Sequence, residues 1–405
     1  MTINRNKLVT LLSMCTIPLL ALIPIVVEVA NKRRYALYCL ALMMAIFAIY
    51  ILPVADLYRH TLTYYELREY DLDTFLDFLK VRQDVIFYIV LYAFGTWGIN
   101  FEFVRFLSVF IGYSAFFTIF FDCIQRFSFL DRKKYLLLFF AFFFYVPFLD
   151  LGNGIRFFLA SSILALSCYQ LYVLHRNLKG YLLGILACMI HFGQFPLFFL
   201  VILLRNQFLA RYKYFYLCLC LVLIGLGPSI VIMFIESLPL SDVYKYVLLV
   251  YTEGAINSEK VSNTLLTKIF AYFSHITFVL SIFYLFILKE KTRLLNLAIG
   301  ILLFRSLFSA FPIANRYEFF FSFVVLLTYI EHDFHLQRAV WYLKLFMIFS
   351  LLIFSLRFYS YRMMLPAYRA KEYFLTPSVA SLFHSDPPEK VFRNVDEDGT
   401  LVGVF

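Results

Sequence analysis

The chain is 405 residues long, 62% hydrophobic and only 15% charged, with a mean hydropathy of +0.81. A soluble domain is about half apolar and about a quarter charged, so a water-soluble globular enzyme is excluded. The formal net charge of +10 does not point to nucleic acid. The basic residues stand in short clusters beside apolar segments, such as Lys32-Arg33-Arg34 and Lys289-Glu290-Lys291, the pattern of topology signals and anionic lipid contacts.

A helix needs about 20 apolar residues to cross the hydrocarbon core. In chain order, such segments are predicted at 8–27, 35–55, 103–121, 135–150, 155–173, 180–204, 214–235, 265–288, 294–312, 317–331 and 340–357. A further apolar stretch, 85–97, is short and ends in Gly95-Thr96-Trp97-Gly98. The first segment is followed by Glu28 and has no small-residue cleavage site, so it reads as a retained helix rather than a signal peptide. The expected fold is all-α: a polytopic integral membrane helical bundle of about 10–13 hydrophobic segments, some re-entrant. It occupies residues 1–359. The polar tail 360–405, with Pro366, Pro377, Pro387 and Pro388, is predicted to be extramembrane or interfacial. The seven cysteines lie in or beside apolar segments without zinc-ligand spacing and read as small packing residues. No metal or other cofactor is expected.

Lysine and arginine concentrate at 31–34, 131–134, 175–179, 205–213 and 289–293, which read as cytoplasmic. The loop 56–84 carries seven acidic and four basic residues, and 236–263 carries four acidic and two basic, so both read as outside. Segment 85–97 must then begin and end on the outer side. Segment 180–204 must return to its starting side, which requires a break near Gly193 and Pro196, just after His191. Non-helical backbone at membrane depth is tolerated where it lines a cavity. In this orientation Asp56, Arg156 and the Asn315-Arg316 turn all lie on the outer face.

Charges and imidazoles inside hydrocarbon-length segments are expensive and usually serve binding or catalysis. Arg156, in Gly152-Asn153-Gly154-Ile155-Arg156, and Arg316 offer guanidinium forks for phosphate oxygens. The alternative for each is to snorkel to the interface or to pair with a carboxylate such as Asp150 or Glu318. Arg305 lies deeper, as a structural partner or a second phosphate contact. His191 could act on a hydroxyl or be a satisfied core histidine. His275 has no comparable neighbour and reads as structural. Asp56, Tyr58, Arg59 and His60 open the first outer loop with a carboxylate, a cation, an imidazole and an aromatic ring. That set suits sugars and phosphates. Arg82 and Asp84 could pair with each other or join the same site. Asp71-Leu72-Asp73 has the spacing of a metal-binding pair but lies in an acidic helix-like stretch.

Four short motifs, in their order, resemble the EpsG family of Wzy-like bacterial polysaccharide polymerases. They are Asp56-x-Tyr58, Asn153-Gly154-Ile155-Arg156-x-x-x-Ala160, Ile190-His191-Phe192, and Asn315-Arg316-Tyr317 ahead of Phe319-Phe320. The family commonly has Arg-Gln where this chain has Arg156-Phe157, Ser where it has Gly193, and Glu-Pro where it has Asp84-Val85. The resemblance implies a multi-pass enzyme of the bacterial cytoplasmic (inner) membrane, acting on its periplasmic or outer side in exopolysaccharide, capsule or O-antigen synthesis. It would transfer a growing glycan from undecaprenyl pyrophosphate to a sugar hydroxyl of an incoming lipid-linked unit, without a metal. The expected catalytic residues are His191, Arg156 and Arg316. Asp56, Tyr58, Arg59, His60, Asn153, Arg305 and Asn315 are expected to bind substrate. The expected partners are the lipid-linked oligosaccharide, membrane lipids and a chain-length regulator protein. Two other classes are weighed. A flippase of lipid-linked oligosaccharides should show symmetry between halves, and none is evident. A membrane acyltransferase would want a carboxylate beside its histidine, and His191 has no acidic neighbour in sequence.

Overall fold

The computed structural model describes residues 5–14, 18–49, 56–127, 131–239, 275–309, 312–334, 336 and 338–360. These residues form eighteen α-helices and, among them, no strand. In chain order the first helices are α1 Arg5–Met14, α2 Pro18–Ala30, α3 Arg34–Ile49, α4 Asp56–Arg68, α5 Leu72–Lys80 and α6 Val85–Thr96. Then follow α7 Phe101–Gln125, α8 Arg132–Tyr145, α9 Phe148–Asn153, α10 Ile155–Tyr172, α11 Asn177–Ile190 and α12 Phe195–Leu203. The last six are α13 Phe208–Arg211, α14 Lys213–Ser237, α15 Ile276–Ile287, α16 Arg293–Leu307, α17 Pro312–Tyr329 and α18 Val340–Ser360. Four helices, α7, α10, α14 and α18, are long and apolar enough to cross a bilayer, and six shorter apolar helices accompany them. The protein is an all-α polytopic membrane protein.

The chain divides into two compact units. The first comprises Met1–Leu171, Arg176–Gln194 and Phe354–Phe405; the second comprises Tyr172–His175 and Phe195–Ile353. In the first, α3 packs along α7, α9 packs on both, and α6 lies against α4, α7 and α11. In the second, α16 packs on α14 and α17, and α15 on α17. From Phe320 to Leu327, all of α17 except Ser322 (1% exposed) is fully buried, as a helix surrounded by protein rather than lipid must be.

Several predicted segments are divided differently by the fold. Segment 8–27 is two helices, the second starting at Pro18, a residue whose fixed φ and missing N–H suit a first helical position. Segment 135–150 stops before Pro147, and α9 starts beyond it. The loop 56–84 is two polar helices, α4 and α5, with Asp71 as the N-cap of α5, accepting from the Thr74 N–H at 2.9 Å. At 12 residues α6 is roughly 18 Å long, too short to span. The break expected near Gly193 and Pro196 is present. Helix α11 ends at Ile190, His191 is extended (φ −149°, ψ 111°), and a 3-10 turn over Phe192–Gln194 leads into α12. The loop 236–263, expected on the outer side, falls largely outside the described residues, as do the tail beyond Ser360 and Cys15.

In an apolar interior the last carbonyls of a helix find no water. Two buried cations meet this need. Arg105, fully buried within α7, donates to the carbonyls of Ala48 (3.0 Å) and Ile49 (3.2 Å) at the end of α3 and pairs with Glu102 at 3.1 Å. Lys213 donates to Leu285 (3.1 Å), Phe286 (3.2 Å) and Leu288 at the end of α15. Both place positive charge where the helix dipole is negative.

Candidate functional site

Asp84 stands at the N-cap position of α6, yet its side chain caps nothing. It instead collects three donors. Oδ2 accepts from Arg156 Nη1 at 2.7 Å and lies 3.1 Å from His191 Nδ1; Oδ1 accepts the Phe192 N–H at 2.7 Å. A carboxylate 7% exposed would be costly alone, and these contacts hold it charged. Burial pulls its pKa up, but His191, the Phe192 N–H and Arg156 together hold it below the usual carboxylate range.

Each donor is placed by local structure. Arg156 lies in the first turn of α10, where Nη1 also reaches Tyr88 Oη at 3.4 Å, Nη2 stands 3.9 Å from Asp56 Oδ2, and the guanidinium lies 5.6 Å from the Phe87 ring. His191 packs edge-on against Phe157, with ring centroids 5.6 Å apart. The turn after it is pinned by Gln194, which donates to Ser161 Oγ at 2.8 Å. A Cβ at position 193 would come within 2.8 Å of His191 Nε2, so the glycine there leaves room for the ring. Asp56 and His60, one turn apart on α4, complete the cluster at 3.4 Å, with His60 edge-on to Phe87. Burial would raise the Asp56 pKa, but His60, Arg156 and Arg59 bring it below the ordinary value. Burial and the Arg156 charge lower that of His60 against the pull of Asp56.

The first unit thus joins Asp56, His60, Asp84, Arg156 and His191, drawn from four separate stretches of chain. On the same helix as Asp56, Tyr58 is buried and Arg59 exposed. Asn153, at the end of α9, is 7% exposed, and neither of its amide atoms has a partner among the described residues. The carboxylates that meet Arg156 are Asp84 and Asp56, while Asp150 pairs with Arg357 and Glu318 with Arg305. In sequence Asp84 offered two readings, a partner for Arg82 or a member of this site, and the structure places it with Arg156 and His191. Its partners lie 72 and 107 residues away.

The second unit holds Arg305 and Arg316. Arg305 Nε donates to Glu318 Oε1 at 3.0 Å, Nη2 donates to the same oxygen, and the guanidinium lies 4.8 Å from the Phe278 ring. Glu318 Oε2 is bonded to His275 Nδ1, so His275, read from sequence as structural, shares a carboxylate with Arg305. Arg316 is exposed on α17, and two residues from Glu318 it faces a different side of that helix. Asn315 also lies in α17; its side chain is outside the description. Among the described residues no group of three or more His, Cys, Asp or Glu is placed to hold a metal ion.

A family description, EpsG family, matches residues 34–375. The chain belongs to the EpsG family. Membership supports a polysaccharide polymerase-like role in general. No curated protein and no solved structure matches the chain. The missing carboxylate that counted against an acyltransferase is present in three dimensions as Asp84, so it is EpsG membership, and no longer the lack of a His–carboxylate pair, that favours glycan chemistry.

Proposed function

We infer that this EpsG-family protein polymerises lipid-linked oligosaccharide repeat units in exopolysaccharide, capsule or O-antigen synthesis. The glycan passes from undecaprenyl pyrophosphate to a sugar hydroxyl of an incoming unit, on the outer side of the bacterial cytoplasmic membrane. The observation that carries this reading is the Asp84 carboxylate, which ties together Arg156 and His191, the arginine and histidine of two family motifs.

The bond that breaks joins the sugar anomeric carbon to a pyrophosphate oxygen, and the electron pair stays with that oxygen. Arg156 of the first unit and Arg316 of the second are each proposed as a phosphate contact: a cation beside a developing anion can supply several kcal/mol of transition-state stabilisation, a role that does not require a metal. The acceptor hydroxyl must lose its proton as the new bond forms. His191, with Nδ1 turned to Asp84, has the orientation of a carboxylate-held imidazole that takes such a proton or positions its hydroxyl. Asp56, Tyr58, Arg59, His60, Asn153, Arg305 and Asn315 remain the proposed substrate contacts, and a chain-length regulator the proposed protein partner.

The test is the glycan of cells lacking this protein. Single repeat units exported to the surface are expected. Units trapped on the cytoplasmic side would instead identify a flippase, and unchanged polymer would end the polymerase reading. Orientation is checked by cysteine labelling from outside, expected near Asp71 and Glu253 and not near Lys32 or Lys291.

A further inference from the structure

We propose that His275, Arg305 and Glu318 form a diphosphate-binding site within the second unit, in which His275 and Arg305 donate to the phosphate oxygens of a lipid-linked sugar. The proposal rests on the polymerase reading for the identity of that lipid and on the second unit alone for its geometry. His275 occupies the N-cap position of α15 but makes no cap hydrogen bond, and histidine is not a residue that position favours. Its place is explained by Glu318, which holds Nδ1 and leaves Nε2 on the opposite edge of a ring 35% exposed.

Donors outnumber acceptors in this cluster. Glu318 Oε1 takes both Nε and Nη2 of Arg305, and Oε2 takes His275, so the carboxylate is committed. Arg305 Nη1 and His275 Nε2 have no acceptor among the described residues. An arginine has five N–H donors in a planar fork, and neither Arg305 Nη1 nor His275 Nε2 is sealed from its surroundings, so both are open to an incoming anionic acceptor. A phosphate group supplies several oxygens, and Arg-phosphate geometry matches the fork. With Glu318 on Nδ1 and a phosphate oxygen on Nε2, the ring carries both protons. The site then presents two cationic donors for one internal carboxylate. Phe278 lies against the guanidinium at 4.8 Å, a cation–π contact that helps fix its orientation.

A phospholipid headgroup offers the same phosphate chemistry, so the experiment uses two probes. Undecaprenyl diphosphate and phosphatidylglycerol are bound to the purified full-length protein in detergent, with native mass spectrometry as the readout. His275→Gln keeps a neutral donor of similar reach and loses the charge. It should weaken diphosphate binding roughly tenfold, the difference between a charge-assisted and a neutral hydrogen bond, with phosphatidylglycerol unaffected and the melting temperature close to wild type. Arg305→Lys keeps the charge, loses the fork, and should weaken diphosphate binding as well. Unchanged diphosphate affinity in a folded His275→Gln protein would overturn the proposal. So would an equal loss for phosphatidylglycerol, which would make the cluster a bulk-lipid contact. Failure of the polymerase reading would be seen separately, as normal polymer in cells lacking the protein.

Discussion

In the first unit Asp84 accepts from Arg156 and His191 beside Phe87; in the second, Glu318 accepts from Arg305 and His275 beside Phe278. Both arrangements settle a buried carboxylate in the same way, with an arginine on one side, a histidine Nδ1 on the other, and a ring against the guanidinium. Their charge balance differs. The first cluster sets two carboxylates, Asp56 and Asp84, against Arg156 and adds a second imidazole, His60. The second sets Glu318 against Arg305. A cluster rich in carboxylates and imidazoles is suited to moving protons, and one with spare cationic donors to holding an anion. An arginine, a histidine and a carboxylate are thus balanced differently in the two clusters, according to how many carboxylates share each arginine.

The comparison is broken most directly by removing one carboxylate. Asp84→Asn should lower polymer formation by about 10²–10⁴-fold, the usual contribution of an oriented acid–base group. Because it leaves Arg156 without its closest partner, it should also destabilise the protein by about 3–5 kcal/mol. Polymer ladders and thermal melting of the purified protein measure the two effects; a full ladder would show that Asp84 orients nothing in the reaction.

Arg305→Ala strands Glu318, and a similar loss of about 3–5 kcal/mol is expected. Adding Glu318→Gln should recover much of it, since the stranded charge is then gone. Additive losses in this double-mutant cycle would mean the pair is not coupled. Next in size, Arg156→Lys keeps charge without the fork, and His191→Gln keeps a donor and an acceptor without an imidazole. Each should shorten the polymer ladder severely at normal protein level, and a normal ladder from either returns that residue to a structural role.

Gly193→Ala should act more mildly, because the new Cβ would sit 2.8 Å from His191 Nε2 and the ring must shift. A partial loss of polymer is expected without loss of fold. The smallest effect concerns pH. The folded-state pKa of His60 lies below the ordinary 6.5, so as pH falls through that value the unfolded chain takes up the proton first and stability declines. The depressed carboxylates Asp56 and Asp84 contribute stability that is present above their ordinary value of 3.8 and lost only below it. They do not enter this window. Melting temperature should therefore drop between pH 7 and pH 5, and drop less in His60→Gln; equal drops would remove His60 as the cause.

The sequence by itself determined the class and the broad run of helical segments, and it singled out Arg156 and His191, because these follow from local quantities. Hydropathy over about 20 residues marks a span, and an arginine or histidine inside one stands out by its cost. The break after His191 was legible for the same reason, from Gly193, Pro196 and the count of crossings. Within 56–84 only the stretch around Asp71-Leu72-Asp73 read as helix-like; the helix from Asp56 to Arg68 was not legible, since charge alone suggested a loop. Only the tertiary structure decided the pairings. Asp84 reaches His191 across 107 residues and His275 reaches Glu318 across 43, and no periodicity encodes a contact between helices so far apart in the chain. A signal for the second cluster did exist: a membrane-embedded Arg305 must find a counter-charge, and Glu318 stood nearby on the next helix. It was read as a partner for Arg316 because sequence gives the residues of a helix but not the face each presents, and that face is fixed only when α17 packs against α15 and α16.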